Sequence, residues 1–202
     1  MAKTTAMTDK VLAIAKEKGV LRVKDLRERG IHPEYVRRMC DKRLLKRVSR
    51  GLYIRADAEF SANIGLAQVA KRVPHGVVCL LSALQFHGIG TQSPYEVWLA
   101  LGRDVRRPRI EYPPLRIMRF SGEALTEGIE RHEIERVSVR IYSPAKTVAD
   151  CFKYRNKIGL DVAIEALRDC RDSKKCTNAD LWKYAKVCRV TQVMKPYLEA
   201  LL

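Results

Sequence analysis

A chain of 202 residues, 47% apolar and 31% charged, has a globular composition that excludes wholesale disorder and leaves room for one large domain or two small ones. Its 39 Lys and Arg against 23 Asp and Glu give a formal charge of +16, which calls for an anionic partner: nucleic acid, an anionic membrane surface or an acidic protein. No stretch approaches the roughly 20 apolar residues of a membrane span, and the N-terminus lacks the apolar segment of a secretory signal, so a cytoplasmic protein without membrane attachment is expected.

The positive charge is focused. Residues 1–60 hold 16 basic and 8 acidic residues, and residues 22–55 alone hold 12 against 4, so the excess of the first sixty residues lies in that short segment. Thr8 is placed to cap a helix in which Val11, Leu12, Ile14 and Ala15 recur at helical spacing and Gly19 ends the run. A short second helix fits residues 24–29, stopped by Gly30, and Pro33 suits the first position of a third. There Val36, Met39 and either Cys40 or Arg43 share one face, leaving Glu34, Tyr35, Arg37, Arg38, Asp41 and Lys42 to solvent. Alternating runs on either side of Ser49-Arg50-Gly51 predict a β-hairpin. Helix, turn, helix and hairpin over residues 8–55 make a basic winged helix-turn-helix, with the hairpin as its wing.

Small polar residues over 55–62 put a domain boundary near residue 60, giving a winged helix-turn-helix domain at 1–60 and a second domain at 61–202. The second is read as a helix at 62–73, an apolar helix from Val77 to His87 ended by Gly88, and strands at 95–101, 115–120, 130–134 and 137–142. Ser143-Pro144 then opens a helix, and three more fit 159–171, 177–187 and 190–202, with Thr177 as a cap. The fold class is α/β of the α+β kind: a winged helix-turn-helix followed by a mixed domain that finishes helical.

DNA affinity comes mainly from cations on phosphates, whereas sequence is read by side chains at base edges in the major groove. Arg37 and Arg38 on the third helix offer forks for guanine, with Tyr35 beside them and His32 in the turn before them. Lys42, Lys46, Arg47, Ser49 and Arg50, at the helix end and on the wing, suit backbone or minor-groove contact, and Lys24 suits a phosphate contact from the second helix. The same residues also fit a protein-docking adaptor whose basic faces bind an acidic partner without an operator. Tyr53 is expected to face inward against the third helix.

Nothing in the chain assembles as a catalytic centre. His87 is explained as a helix C-terminal cap, and neither His32, His75 nor His132 has a ligand partner at a metal-binding spacing. Ser82 lacks a nucleophile-elbow frame, no Gly-rich phosphate loop occurs, and Glu96, Asp104 and Glu111 are dispersed. Asp150 and Asp161 read as a solvated face or helix-end charges, and six scattered cysteines read as reduced core thiols. The expectation is a protein that is not an enzyme, with no cofactor and no metal site. Arg103, Arg106, Arg107, Arg109, Arg116 and Arg119 form a second basic stretch, open to three readings: a solvated loop, a further DNA contact, or a dock for an acidic partner.

In order along the chain, Asp25-Leu26 before Gly30-Ile31, Val36-Arg37-Arg38-Met39, and Val48-Ser49-Arg50-Gly51-Leu52-Tyr53 resemble the winged-helix domain of AbiEi-type antitoxins. These belong to the bacterial abortive-infection, type IV toxin-antitoxin systems. Leu81-Ser82-Ala83-Leu84 with His87-Gly88-Ile89, Pro94 ahead of a strand, and the run Ile141-Tyr142-Ser143-Pro144-Ala145-Lys146-Thr147-Val148-Ala149-Asp150 are similar to that family's C-terminal domain. The resemblance implies a negative autoregulator that binds inverted repeats in the double-stranded DNA upstream of its own operon. It also implies a co-encoded nucleotidyltransferase toxin that the protein counters, without a requirement for stable contact. The toxin's own pattern, Gly-Ser before Asp-x-Asp, is absent, so the resemblance is to the antitoxin.

Overall fold

The computed structural model describes residues 2–49, 51–58 and 62–200, with side chains from Met7 onward. Contacts divide the chain into two units, the first made of Met1–Val73 with Ile110–Pro113 and Glu133–Val139, and the second of the remainder.

The first unit opens with α1 (Ala2–Lys18). Thr8 lies inside this helix and does not cap it, because no Gly or Pro interrupts the preceding turn. Val11, Ile14 and Ala15 are buried. Gly19 ends the helix at φ +61, and a Cβ there would stand 1.7 Å from the Glu135 carbonyl oxygen, so only glycine fits. A strand that the sequence did not announce, β1 (Leu21–Arg22), precedes α2 (Val23–Arg27). Pro33 takes the N-cap position of α3 (Glu34–Asp41). The hairpin follows as β2 (Leu45–Ser49) and β3 (Leu52–Arg55), with Gly51 at φ +75 in its turn. The sheet order is β1-β3-β2, with both pairings antiparallel. This is the element order of a winged helix-turn-helix. Its core joins Val11, Ile14, Leu26 and Ile31 with Val36 and Met39, the apolar face of α3.

The division falls after Val73, beyond the expected boundary at residue 60, because α4 (Ile64–Arg72) belongs to the first unit. Arg22 Nη1 donates to the Lys71 carbonyl at 2.6 Å, Arg72 Nη2 donates to Ser49 Oγ at 2.8 Å, and Lys71 Nζ stands 3.8 Å from the buried Asp25 carboxylate.

The second unit is built on a five-stranded sheet of β4 (Val77–Val78), β5 (Val97–Gly102), β6 (Leu115–Phe120), β7 (Ile129–Ile134) and β8 (Val137–Tyr142), in the order β6-β5-β4-β8-β7. The facing ends of β7 and β8 are counted with the first unit. Val77 and Val78 are strand, where a helix was expected: both are β-branched and they pair with Ala100 and Leu99 of β5. Helix α5 (Leu80–His87) starts only after Cys79. Its C-terminus is closed by Gly88 in the left-handed conformation and by Lys175 Nζ on the Gly88 carbonyl at 2.8 Å. The expected imidazole cap is not made; His87 Nε2 lies 2.8 Å from the Tyr142 carbonyl of β8 instead.

The helices of this unit continue as α6 (Glu123–Thr126), α7 (Pro144–Lys153), α8 (Arg155–Ile158), α9 (Leu160–Asp172), α10 (Asn178–Val187) and α11 (Thr191–Ala200), of which α6 and α8 are too short to read from periodicity. Thr177 caps α10, its Oγ1 accepting the Asp180 N–H at 3.1 Å. Ser143 occupies the N-cap position of α7 but makes no side-chain cap bond. Cys170 and Cys176 form a disulfide, their Cα atoms 5.9 Å apart, which departs from the expectation of six reduced thiols: α9 turns back at Ser173 and brings the two together. Cys40, Cys79, Cys151 and Cys188 are free.

Every side chain of α7 from Ala145 to Phe152 is buried, and α5, α9, α10 and α11 pack around it. Asp150, expected in solvent, is fully buried on this helix. It accepts Lys146 Nζ at 2.6 Å one turn away, and the Cys188 thiol lies 3.2 Å from its other oxygen. Lys146 Nζ also sits 4.1 Å from the Tyr142 ring centre and 5.1 Å from that of Phe120. Burial pushes the Asp150 carboxyl up from its usual range, and the Lys146 charge opposes that shift. Removing one member leaves the other charged and unpaired in a dry core. Asp150→Leu is therefore expected to destabilise the protein by about 3–5 kcal/mol in urea unfolding, and adding Lys146→Met to recover much of that loss. A single-variant loss under about 1 kcal/mol would show that the pair is dispensable.

Candidate nucleic-acid interface

The spacing of α3 that buries Val36 and Met39 leaves Arg37, Arg38, Asp41 and Lys42 exposed. Arg38 gives Nε and Nη2 to the Glu34 carboxylate at 3.2 and 2.7 Å and lies 5.7 Å from the Tyr35 ring centre. One turn of helix thus holds a fork, a carboxylate and an aromatic face together. Tyr35 is half-buried against the core of the first unit, which leaves only part of its ring for a ligand. Arg37, one residue before Arg38, makes no side-chain hydrogen bond or ion pair among the described residues. The two arginines therefore differ: Arg37 is free to adapt, whereas Arg38 is already held in place.

His32 is exposed in the turn, and its Nδ1 accepts the Glu34 N–H at 3.3 Å, so it satisfies one donor at the start of α3. Lys24 on α2 is exposed and stands 3.6 Å from Glu28. Lys42 and Lys46 are exposed and unpaired among the described residues. Arg47 is exposed, with Nε 3.4 Å from the Ser49 carbonyl on its own strand. Ser49 is less available than the sequence suggested, because its hydroxyl accepts Arg72. Arg50 lies outside the described residues. Tyr53 packs on the core, as expected for an inward wing residue.

Arg43 belongs with this group and was obscured by its spacing, which placed it as an alternative to Cys40 on the inner face. It is exposed and holds φ 55 at the end of α3, between the helix and the wing. Its N–H donates to the Cys40 carbonyl and that of Leu44 to Met39, so the chain has left the helical path before Arg43 and the periodicity no longer applies. From α3 into β2, the exposed cations Arg37, Arg38, Lys42, Arg43, Lys46 and Arg47 face only two carboxylates of the same segment, Glu34 and Asp41, the first of them already paired. Such a surface attracts polyanions and offers guanidinium forks to base edges. Among the described residues no group of three or more His, Cys, Asp or Glu is placed to hold a metal, and no helix is long and apolar enough to cross a membrane.

Residues 9–56, the segment that carries this surface, match the family model described as transcriptional regulator, AbiEi antitoxin. The N-terminal segment is thus similar to AbiEi antitoxin regulators over about a quarter of the chain. That similarity supports a regulator or antitoxin role. The motifs of the second unit that resemble AbiEi proteins lie beyond the matched segment. The whole fold is like that of the RV2827C protein from Mycobacterium tuberculosis in its crystal structure, with a TM-score of 0.64 and 14% identity over 96% of this chain and 80% of that one. At this identity the likeness is one of fold. No curated protein matches the chain.

In the segment similar to AbiEi regulators the Arg38–Glu34 pair is exposed on both sides, so solvent screens it. Glu34→Ala is expected to change unfolding stability by no more than about 0.5 kcal/mol. A loss well above about 1 kcal/mol in urea titration would show that the pair holds α3 itself together.

Proposed function

We propose that the chain is a DNA-binding transcriptional autorepressor and the antitoxin of a type IV toxin-antitoxin system. It binds inverted repeats in the double-stranded DNA upstream of its own operon and counters a co-encoded nucleotidyltransferase toxin, by an action that does not require a stable complex. It works in the cytoplasm, without a catalytic centre or cofactor of its own. The observation that carries this reading is the exposed cationic face running from α3 into the wing, within the segment matched to AbiEi regulators. Arg37 and Arg38 read base edges; Lys42, Arg43, Lys46 and Arg47 hold phosphates; and His32 fixes the entry to α3.

A gel-shift titration with the protein's own upstream DNA against scrambled DNA of equal length, at about 150 mM salt, tests the proposal where phosphate attraction alone is weakened. A preference of roughly 1000-fold or more is expected. Equal, weak binding to both would replace it with an adaptor that binds an acidic protein through the same face. Arg37→Ala and Arg38→Ala should each cost about 1–3 kcal/mol at the cognate site and relax the base preference there, and a uniform loss on all sequences would make them phosphate contacts. Substituting Lys46 or Arg47 should weaken specific and random DNA alike and flatten the slope of log affinity against log salt by about one. An unchanged slope would remove them from the phosphate-binding set.

A further inference from the structure

The second unit contains a recess of about 500 Å³ between the turn that leads into α6 and the C-terminal end of α10. Four cations, Arg103, Lys153, Lys186 and Arg189, line it against one carboxylate, Glu123. All four are exposed. Arg103, Lys186 and Arg189 make no side-chain hydrogen bond or ion pair among the described residues. Lys153 Nζ donates to the Cys188 carbonyl at 3.0 Å, which fixes its ammonium while leaving it two further protons to give.

Arg189 adds a second observation. It closes α10 at φ 58, its N–H donating to the Lys186 carbonyl and that of Val190 to the Ala185 carbonyl, the paired bonds of a Schellman end. Glycine makes this turn without strain, whereas arginine adopts it at a backbone cost. The turn sets Arg189 at the C-terminal end of α10, beside the other cations of the recess.

We propose that this recess binds a compact free polyphosphate, for which ATP serves as the probe. Its size lies within the roughly 300–1,000 Å³ of small-molecule pockets. Two guanidinium forks and two ammonium groups suit phosphate oxygens, and their combined charge is of the size a triphosphate carries. A DNA duplex is a convex rod too wide to enter such a recess, and Glu123 on its wall opposes a continuous run of phosphates.

Equilibrium dialysis of the full chain against labelled ATP, without DNA and at about 150 mM salt, reads the site directly. Saturable micromolar binding is expected, reduced at least about tenfold by Arg103→Ala with Lys186→Ala and also by Arg189→Gly, and unaffected by Arg37→Ala. Arg189→Gly suits the left-handed position, so a protein that unfolds as cooperatively as the wild type yet has lost ATP binding would support the site. The proposal is overturned if no saturable binding appears up to millimolar ATP, if the recess variants bind undiminished, or if Arg37→Ala abolishes binding. It is also overturned if the recess variants lose affinity for a short DNA duplex while the wild type does not bind ATP, which would assign the recess to the nucleic-acid backbone.

Discussion

Lys146 and Asp150 lie one turn apart on a helix whose side chains are buried from Ala145 to Phe152, and the second unit is organised around them. A charge in a dry interior is tolerated only with a partner and further polar contacts. Lys146 has the carboxylate and two aromatic faces; Asp150 has the ammonium and the Cys188 thiol, which comes from the end of α10. The pair thereby ties α7 to the strands before it and to a helix almost forty residues later in the chain. Gly128 shows how closely the site is enclosed: a Cβ there would come within 2.7 Å of Lys146 Cβ. Isolated exposed pairs such as Lys195–Glu199 do not impose such demands on their surroundings.

The first unit solves the opposite problem, that of keeping charge in water. Its small core takes one face each of α1, α2 and α3 and the inner residues of the hairpin, so the remaining faces are free to carry cations. Of the two carboxylates near them, Glu34 is engaged by Arg38, and six cations against two carboxylates leave the surface positive. A rigid scaffold presenting adaptable cations separates affinity, which needs charge, from sequence preference, which needs fixed forks. Among the described residues Arg37 is unpaired, whereas Arg38 is held by Glu34.

Much of the winged helix was legible because its signals are local. Gly19, Gly30 and Gly51 each sit at positive φ where an element ends, and Val36 and Met39 mark the inner face of α3 by spacing alone. Local signals failed where pairing partners decided the outcome. Val77-Val78 looked like the start of an apolar helix and became a strand because β5 and β8 supply its hydrogen bonds. Asp150 looked like a solvated charge because an i,i+4 Lys–Asp pair reads the same on a surface as in a core. Ser49 and Lys71 gained partners 23 and 49 residues away, which no window of sequence contains.

The sequence by itself determined the basic winged helix-turn-helix and the cations available to a polyanion, because helix periodicity, turn glycines and net charge depend on neighbours within a few residues. Tertiary structure decided which of those cations are free: among the described residues Arg37 and Lys46 remain unpaired, Arg38 is held by Glu34, and the Ser49 hydroxyl accepts Arg72. It also decided that α4 joins the first unit, that a lysine and a carboxylate share the second unit's core, and that Arg103 meets Lys186 and Arg189 at one recess. Packing brings together residues far apart in the chain, and burial, more than residue type, sets whether a charge acts as a solvated group, a structural tie or a ligand contact.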